Sequence, residues 1–255
     1  MILQSYADAG KLQWYTGPNL KPARSFLDLV QHCPGYDFYS FADQDDYWYP
    51  DKLETGVKRI ATCSGPALYF ANGRMVDQEL KPLGRNIYRT LPPVDYYSVT
   101  CGAGITGCTS VFNKELAQLI QGKPIPQDLL MHDYHVGIVC ALHNGVIIYD
   151  DIPWMDYRQH GSNVVGCTWR KTDALKNRIR QITEENKPTL DKAAAGLCEI
   201  YTQVPDMQKL YWLQKVSCYR QSIWSAAKLA LAPKPKYSSA NMAVTLRLAF
   251  LLRKR

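Results

Sequence analysis

Up to about residue 160, short β-branched and aromatic runs alternate with stretches of helical period, the signature of an α/β layer structure. The runs at residues 12–16, 36–42, 67–72 and 146–149 predict strands, the last continuing toward Arg158. Residues 22–33, 51–62, 114–121 and 133–143 predict helices, and Pro22 and Pro50 suit an opening helical turn, where the missing N–H costs nothing. Residues 1–9 look like the latter half of a helix, so the chain opens inside an α/β unit. Beyond Gly166 the pattern turns helical, over 171–186, 189–203 and 207–231. PKPKYSS at 233–239 interrupts it, and residues 240–252 form a short amphipathic finish.

With 255 residues, 46% of them hydrophobic and 21% charged, the chain supports a globular core and is neither disordered nor fibrous. No run approaches the roughly 18 apolar residues of a spanning helix. The start, MILQSYADAGKLQ, lacks the basic and apolar parts of a secretory signal, so a cytosolic location is expected. Eight cysteines without a C-x-x-C pair suggest buried thiols rather than a zinc ribbon or a disulfide framework. Charge divides the chain: residues 1–165 carry net −4 and residues 166–255 net +11, and no acidic residue follows Asp206. A tail of one sign attracts polyanions.

The most informative stretch is YDFYSFADQDDYWYPDKLE at 36–54, where an apolar strand delivers Asp43, Asp45 and Asp46 into a turn before a helix. Carboxylates so close repel, and a cation, protonation or solvent relieves the repulsion. A hard divalent ion held by one or two of them, its remaining positions filled by phosphate oxygens, would bind a nucleotide diphosphate. A solvated acidic loop, with Asp favouring a helix N-terminus, satisfies the same residues.

ADQDDYWYPDKLE closely resembles the D-x-D segment of family 2 inverting glycosyltransferases, in particular the bacterial rhamnosyltransferase-like group. The resemblance implies Mg²⁺ or Mn²⁺ on Asp45, with His160 a second candidate ligand, and places Asp43 toward the ribose or donor sugar. Asp46, Trp48, Pro50 and Asp51 are left to shape the turn and start the helix. GAGITGCTSVFNKELAQLI (102–120) is similar to the family's glycine-rich stretch, although a loop needing positive φ would use the same glycines. MHDYHVGIVCALHNGVIIYDDIPWMDYRQHGSNVVG (131–166) resembles the H-D-W segment and its sequel. Asp133 then falls at the general base, supported by His132, where its bland alternative is a helix N-cap. Arg158 and His160, in YRQHG, suit the neutralising of a leaving diphosphate, and Arg24 is a looser phosphate candidate.

The expected fold is α/β: a GT-A-type Rossmann-like mixed sheet lacking its first strands, over residues 1–166, followed by a basic helical region over 167–255. The family's opening strand, P-T-Y/x-N-G loop and D-D-G-S segment are absent from this sequence. The resemblance implies inverting transfer of a rhamnose-like sugar from a nucleotide diphosphate donor, such as dTDP-rhamnose, to a cell-surface polysaccharide or lipid-linked glycan. The alternative is an incomplete fragment or pseudoenzyme serving as a binding or scaffold subunit. For the tail, VTLRLAFLLRKR gathers Leu246 and Phe250 among cations, which suits either peripheral contact with the inner face of the plasma membrane or packing on the body. Nucleic-acid binding has no motif in its favour.

Overall fold

The computed structural model describes residues 2–102, 104–159 and 188–253; the helix expected over 171–186 and His160 lie outside them. Strands β1 (Phe38–Ser40), β2 (Tyr47–Trp48), β3 (Ala67–Val76), β4 (Pro82–Asn86), β5 (Ser110–Asn113) and β6 (Val146–Arg158) form one mixed sheet. Its order is β1-β5-β3-β6-β2, with β4 on β3. Only β3 and β6 run parallel; the other pairs are antiparallel.

β3 opens with the apolar run Ala67–Ala71 because it lies at the centre, and the whole strand is buried except at Arg74. Its alternate residues serve two layers. Tyr69 and Ala71 join Val111 beneath α3 (Lys52–Ile60). That helix lies so close that a Cβ on Gly56 would meet Val111 Cγ2 at 2.6 Å. Leu68 and Phe70 point the other way, into a larger core shared with α2 (Lys21–His32), α4 (Tyr96–Thr100), α5 (Lys114–Ile120) and α6 (His132–Leu142). The same core continues into α7 (Leu190–Ile200), α8 (Met207–Cys218), α9 (Ile223–Ala230) and Phe250 of α10 (Ala240–Leu251). This layered arrangement is a GT-A-like Rossmann fold with helices at its C-terminal end.

The charge division near residue 166 is therefore not a division of the core. Trp212 Nε1 donates to Thr100 Oγ1 at 2.8 Å, and Tyr96 OH donates to the Lys209 carbonyl at 2.7 Å, which fastens α8 across α4.

Several expectations change. Residues 12–16 form no strand, because the segment runs beside α2 instead of a sheet neighbour: Tyr15 OH donates to Asp28 at 2.6 Å, and its ring lies 4.9 Å from that of His32. The helix expected over 207–231 breaks where Ser222 turns extended and its hydroxyl caps the Ser225 N–H at 3.0 Å. Of the thiols, Cys101, Cys108 and Cys140 are buried, while Cys33, Cys63, Cys198 and Cys218 are only half-buried. An opening helix does form, α1 (Ile2–Asp8), yet it buries none of its residues. Of the two alternatives for α10, Phe250 takes the packed one. Phe250 is fully buried against Tyr219, Leu246 is half-buried, and Val244, Leu248 and Leu251 face solvent. No helix among the described residues is long and apolar enough to cross a membrane.

Candidate active site

Two strand pairings assemble the acidic turn. β1 runs antiparallel to β5 with Ser40 opposite Val111, and continuing that register brings residue 43 opposite residue 108. β2 runs antiparallel to β6 with Tyr47 opposite Asp156, which carries Asp46 to the Arg158 backbone. The Arg158 N–H donates to Asp46 Oδ1 at 3.0 Å. Asp43, Asp46 and Cys108 consequently offer ligand atoms all within 4.8 Å of one another. Asp46 Oδ2 is buried with no hydrogen-bond partner, an orphaned acceptor of the kind a cation satisfies.

The electrostatics follow from burial. Desolvation pushes Asp46 up to about 6, while the Arg158 N–H and the Cys108 thiol hold it down. Asp43 is raised by desolvation first and by the charge of Asp45 second. Cys108 is driven well above the ordinary thiol value by burial and by these carboxylates, so its sulfur is a protonated donor and not an anionic ligand. Beneath the turn lies Lys52, 1% exposed, its Nζ 3.5 Å from the centroid of the Trp48 ring and without a hydrogen-bond partner. Burial lowers Lys52 to about 8, against the pull of Cys108 and Asp46.

Asp133 reaches the same place from α6. Met131 occupies the cap position, so the N-cap alternative does not apply. Asp133 Oδ2 accepts the Gly107 N–H at 2.9 Å and Oδ1 accepts the Tyr134 N–H at 2.7 Å. Gly107 immediately precedes Cys108, so one short turn, Gly107–Thr109, touches both Asp133 and the carboxylate pair. Asp133 is raised to about 6, by desolvation foremost and with a contribution from the charge of Asp43, against the two backbone donors. A carboxylate poised there is ionised at neutral pH and still basic enough to take a hydroxyl proton.

The remaining candidates fall differently. His132 is 4% exposed, with ring centroids 4.3 Å from Phe26 and 4.5 Å from Phe41, and neither ring nitrogen is hydrogen-bonded. Burial lowers it to about 4, so it is a neutral core ring that shapes the base of the site and does not bond to Asp133. It also explains Gly107, where a Cβ would stand 2.3 Å from His132 Nε2. Gly102, at φ +85°, supplies the positive φ of the glycine-rich stretch. Asp45 is half-buried beside the pair and acts on both through its charge. The Arg158 side chain donates from Nη1 to the Gln78 carbonyl at 3.1 Å. Arg24 is half-buried with Nε unpartnered, and no described hydrogen bond or ion pair joins it to the acidic turn. His160 lies outside the described residues.

Asp46, which the resemblance left to shape the turn, joins Asp43 in the cluster, and Cys108, Lys52 and Gly107 were not singled out by sequence as site residues. Their signal was adjacency, since each lies inside a stretch already quoted for its resemblance. Tyr157 belongs with them, raised by burial and by the charges of Cys108, Asp46, Asp43 and Asp45. A cleft of about 660 Å³, lined by residues including Lys123, His143 and Tyr201, opens at the far end of α6, about 15 Å along the helix from Asp133. It is separate from this chemistry.

Fold and site together describe a GT-A-like α/β protein with a divalent-cation-compatible carboxylate pair and a poised third carboxylate. No family model matches the chain. It is 31% identical over 159 residues to the dTDP-rhamnosyl transferase RfbG of Shigella flexneri, a match covering 56% of this chain and 51% of that protein. The chain thus spans about half the length of the curated relative it matches.

Proposed function

We propose that the chain carries the metal-assisted transfer site of an inverting glycosyltransferase, moving a rhamnose-like sugar from a nucleotide diphosphate donor to a glycan or lipid-linked acceptor. The observation that carries this reading is the convergence of Asp133 and the Asp43/Asp46 pair on the turn Gly107–Thr109. Asp43 and Asp46, with Asp45 beside them, would hold Mg²⁺ or Mn²⁺. Its chemistry there is the neutralising of charge on the departing diphosphate. Asp133 accepts the proton of the acceptor hydroxyl as that oxygen displaces the diphosphate at the anomeric carbon, in one in-line step. A scaffold subunit has no need of a half-buried carboxylate poised beside an acidic cluster.

The likeness to a dTDP-rhamnosyl transferase makes dTDP-rhamnose the first donor to test. Incubated with a panel of sugar nucleotides and Mn²⁺, the full chain is expected to release nucleoside diphosphate from that donor. The activity should disappear with EDTA and in the Asp43→Asn/Asp46→Asn double variant. Turnover that survives both treatments removes the carboxylate pair from the mechanism.

A further inference from the structure

The two last helices break the usual rule for a soluble surface. α9 turns Ala226, Leu229 and Ala230 inward. It leaves Ile223 67% exposed and Trp224 79% exposed, and Leu231, just beyond its end, 74% exposed. Trp224, Lys228 and Leu231 recur at helical spacing along one stripe. α10 is held to the body through Phe250 on Tyr219, at 5.3 Å between ring centroids, and packs beside α9. Its outward stripe is Val244, Leu248 and Leu251, continued by Leu252 and flanked by Arg247. Isolated exposed apolar residues mean little, whereas two adjoining helices each presenting such a stripe mark an interaction surface.

Charge selects the partner. Ten Lys or Arg and no Asp or Glu follow Asp206, and Lys228, Lys236, Arg247 and Arg253 are among the exposed ones. A second copy would bring the same cations face to face, which opposes self-association. A nucleic acid would take the cations and leave Leu248, Leu251 and Leu252 in water. A bilayer with anionic headgroups takes both, with aliphatic side chains entering the acyl boundary, the amphipathic indole lying at the interface and cations on the phosphates.

We infer that α9 and α10 form a membrane-docking face, anchored by Trp224, Leu231, Val244, Leu248 and Leu251 and drawn to anionic lipid by the surrounding cations. This inference stands apart from the proposed sugar chemistry, because none of these residues belongs to the acidic turn or to α6. The face is not the Phe250 side of α10, since Phe250 packs on the body.

Co-sedimentation of the full chain with vesicles tests it. Vesicles of phosphatidylcholine mixed with phosphatidylglycerol should bind the chain at least about tenfold more tightly than phosphatidylcholine alone, and high salt should reverse the difference. The Trp224→Glu/Leu248→Glu variant should lose at least about tenfold in binding while keeping its circular dichroism and melting temperature, since both side chains are exposed. Four results would overturn the inference: no binding to either vesicle; binding indifferent to the double variant; loss of a solution dimer in that variant; or competition by inorganic phosphate as effective as that by lipid.

Discussion

The acidic turn and the C-terminal helices violate the same rule from opposite sides. At the turn, charge is buried: Lys52 is 1% exposed, and desolvation raises Asp46 and Asp133 to about 6. At α9 and α10, apolar surface is left in water, with Trp224 79% exposed beside cations. Both arrangements oppose folding when taken alone, because buried charge is poorly solvated and exposed apolar area forgoes the hydrophobic effect. A fold retains such features where something outside the chain completes them: in our proposal a cation and diphosphate at one end, and in our inference a lipid surface at the other.

The comparison breaks most completely at Asp133. Asp133→Asn removes the basicity and keeps one acceptor oxygen, so one of the Gly107 and Tyr134 N–H groups loses its partner, and transfer should fall by at least about 10²–10⁴-fold. In the unmodified chain, kcat/KM should fall about tenfold per pH unit below pH ~6, as Asp133 takes up a proton. Unchanged turnover by the variant would leave Asp133 a structural acceptor only.

Gly107 tests whether the two carboxylate sites depend on one backbone. Adding the Cβ of Gly107→Ala places it 2.3 Å from His132 Nε2, in a ring held between Phe26 and Phe41. Overpacking of this kind should destabilise by about 1–3 kcal/mol in chemical denaturation and impair transfer by displacing the donor to Asp133. Full stability would show that the ring has room to move.

The smallest effect concerns stability, and its sign is opposite to that of activity. Asp46 has a folded pKa raised above its unfolded value, so the folded state holds the extra proton and stability falls as pH rises from about 4 through about 6. Asp46→Asn should therefore stabilise the protein at pH 7.5, by on the order of 1 kcal/mol once solvent screening is allowed for, and change little at pH 4. A melting temperature that drops at pH 7.5 would mean that the carboxylate is already compensated within the chain. The two vesicle compositions sharpen the other side of the comparison.

Much of this was legible in the sequence because it was local. Short β-branched and aromatic runs and helical patterns located β3, β6, α2, α3, α5 and α6 to within a few residues, and the acidic run after β1 and Asp133 on α6 lie together in the candidate site. The failures were of partnership. Residues 12–16 carry a strand's pattern without a sheet neighbour among the described residues, and His132 reads as a catalytic helper until Phe26 and Phe41 enclose it.

The sequence by itself determined which residues could do chemistry, through residue type and short-range spacing, and it determined that the tail would be cationic. Only the tertiary structure decided that Cys108 stands with Asp43 and Asp46, that Asp133 bonds to the neighbouring Gly107, and that α10 buries Phe250 and exposes Leu248. The physical reason is that strand register and helix docking set these juxtapositions. Both are chosen by the packing of the whole core, and no local stretch of chain contains that information.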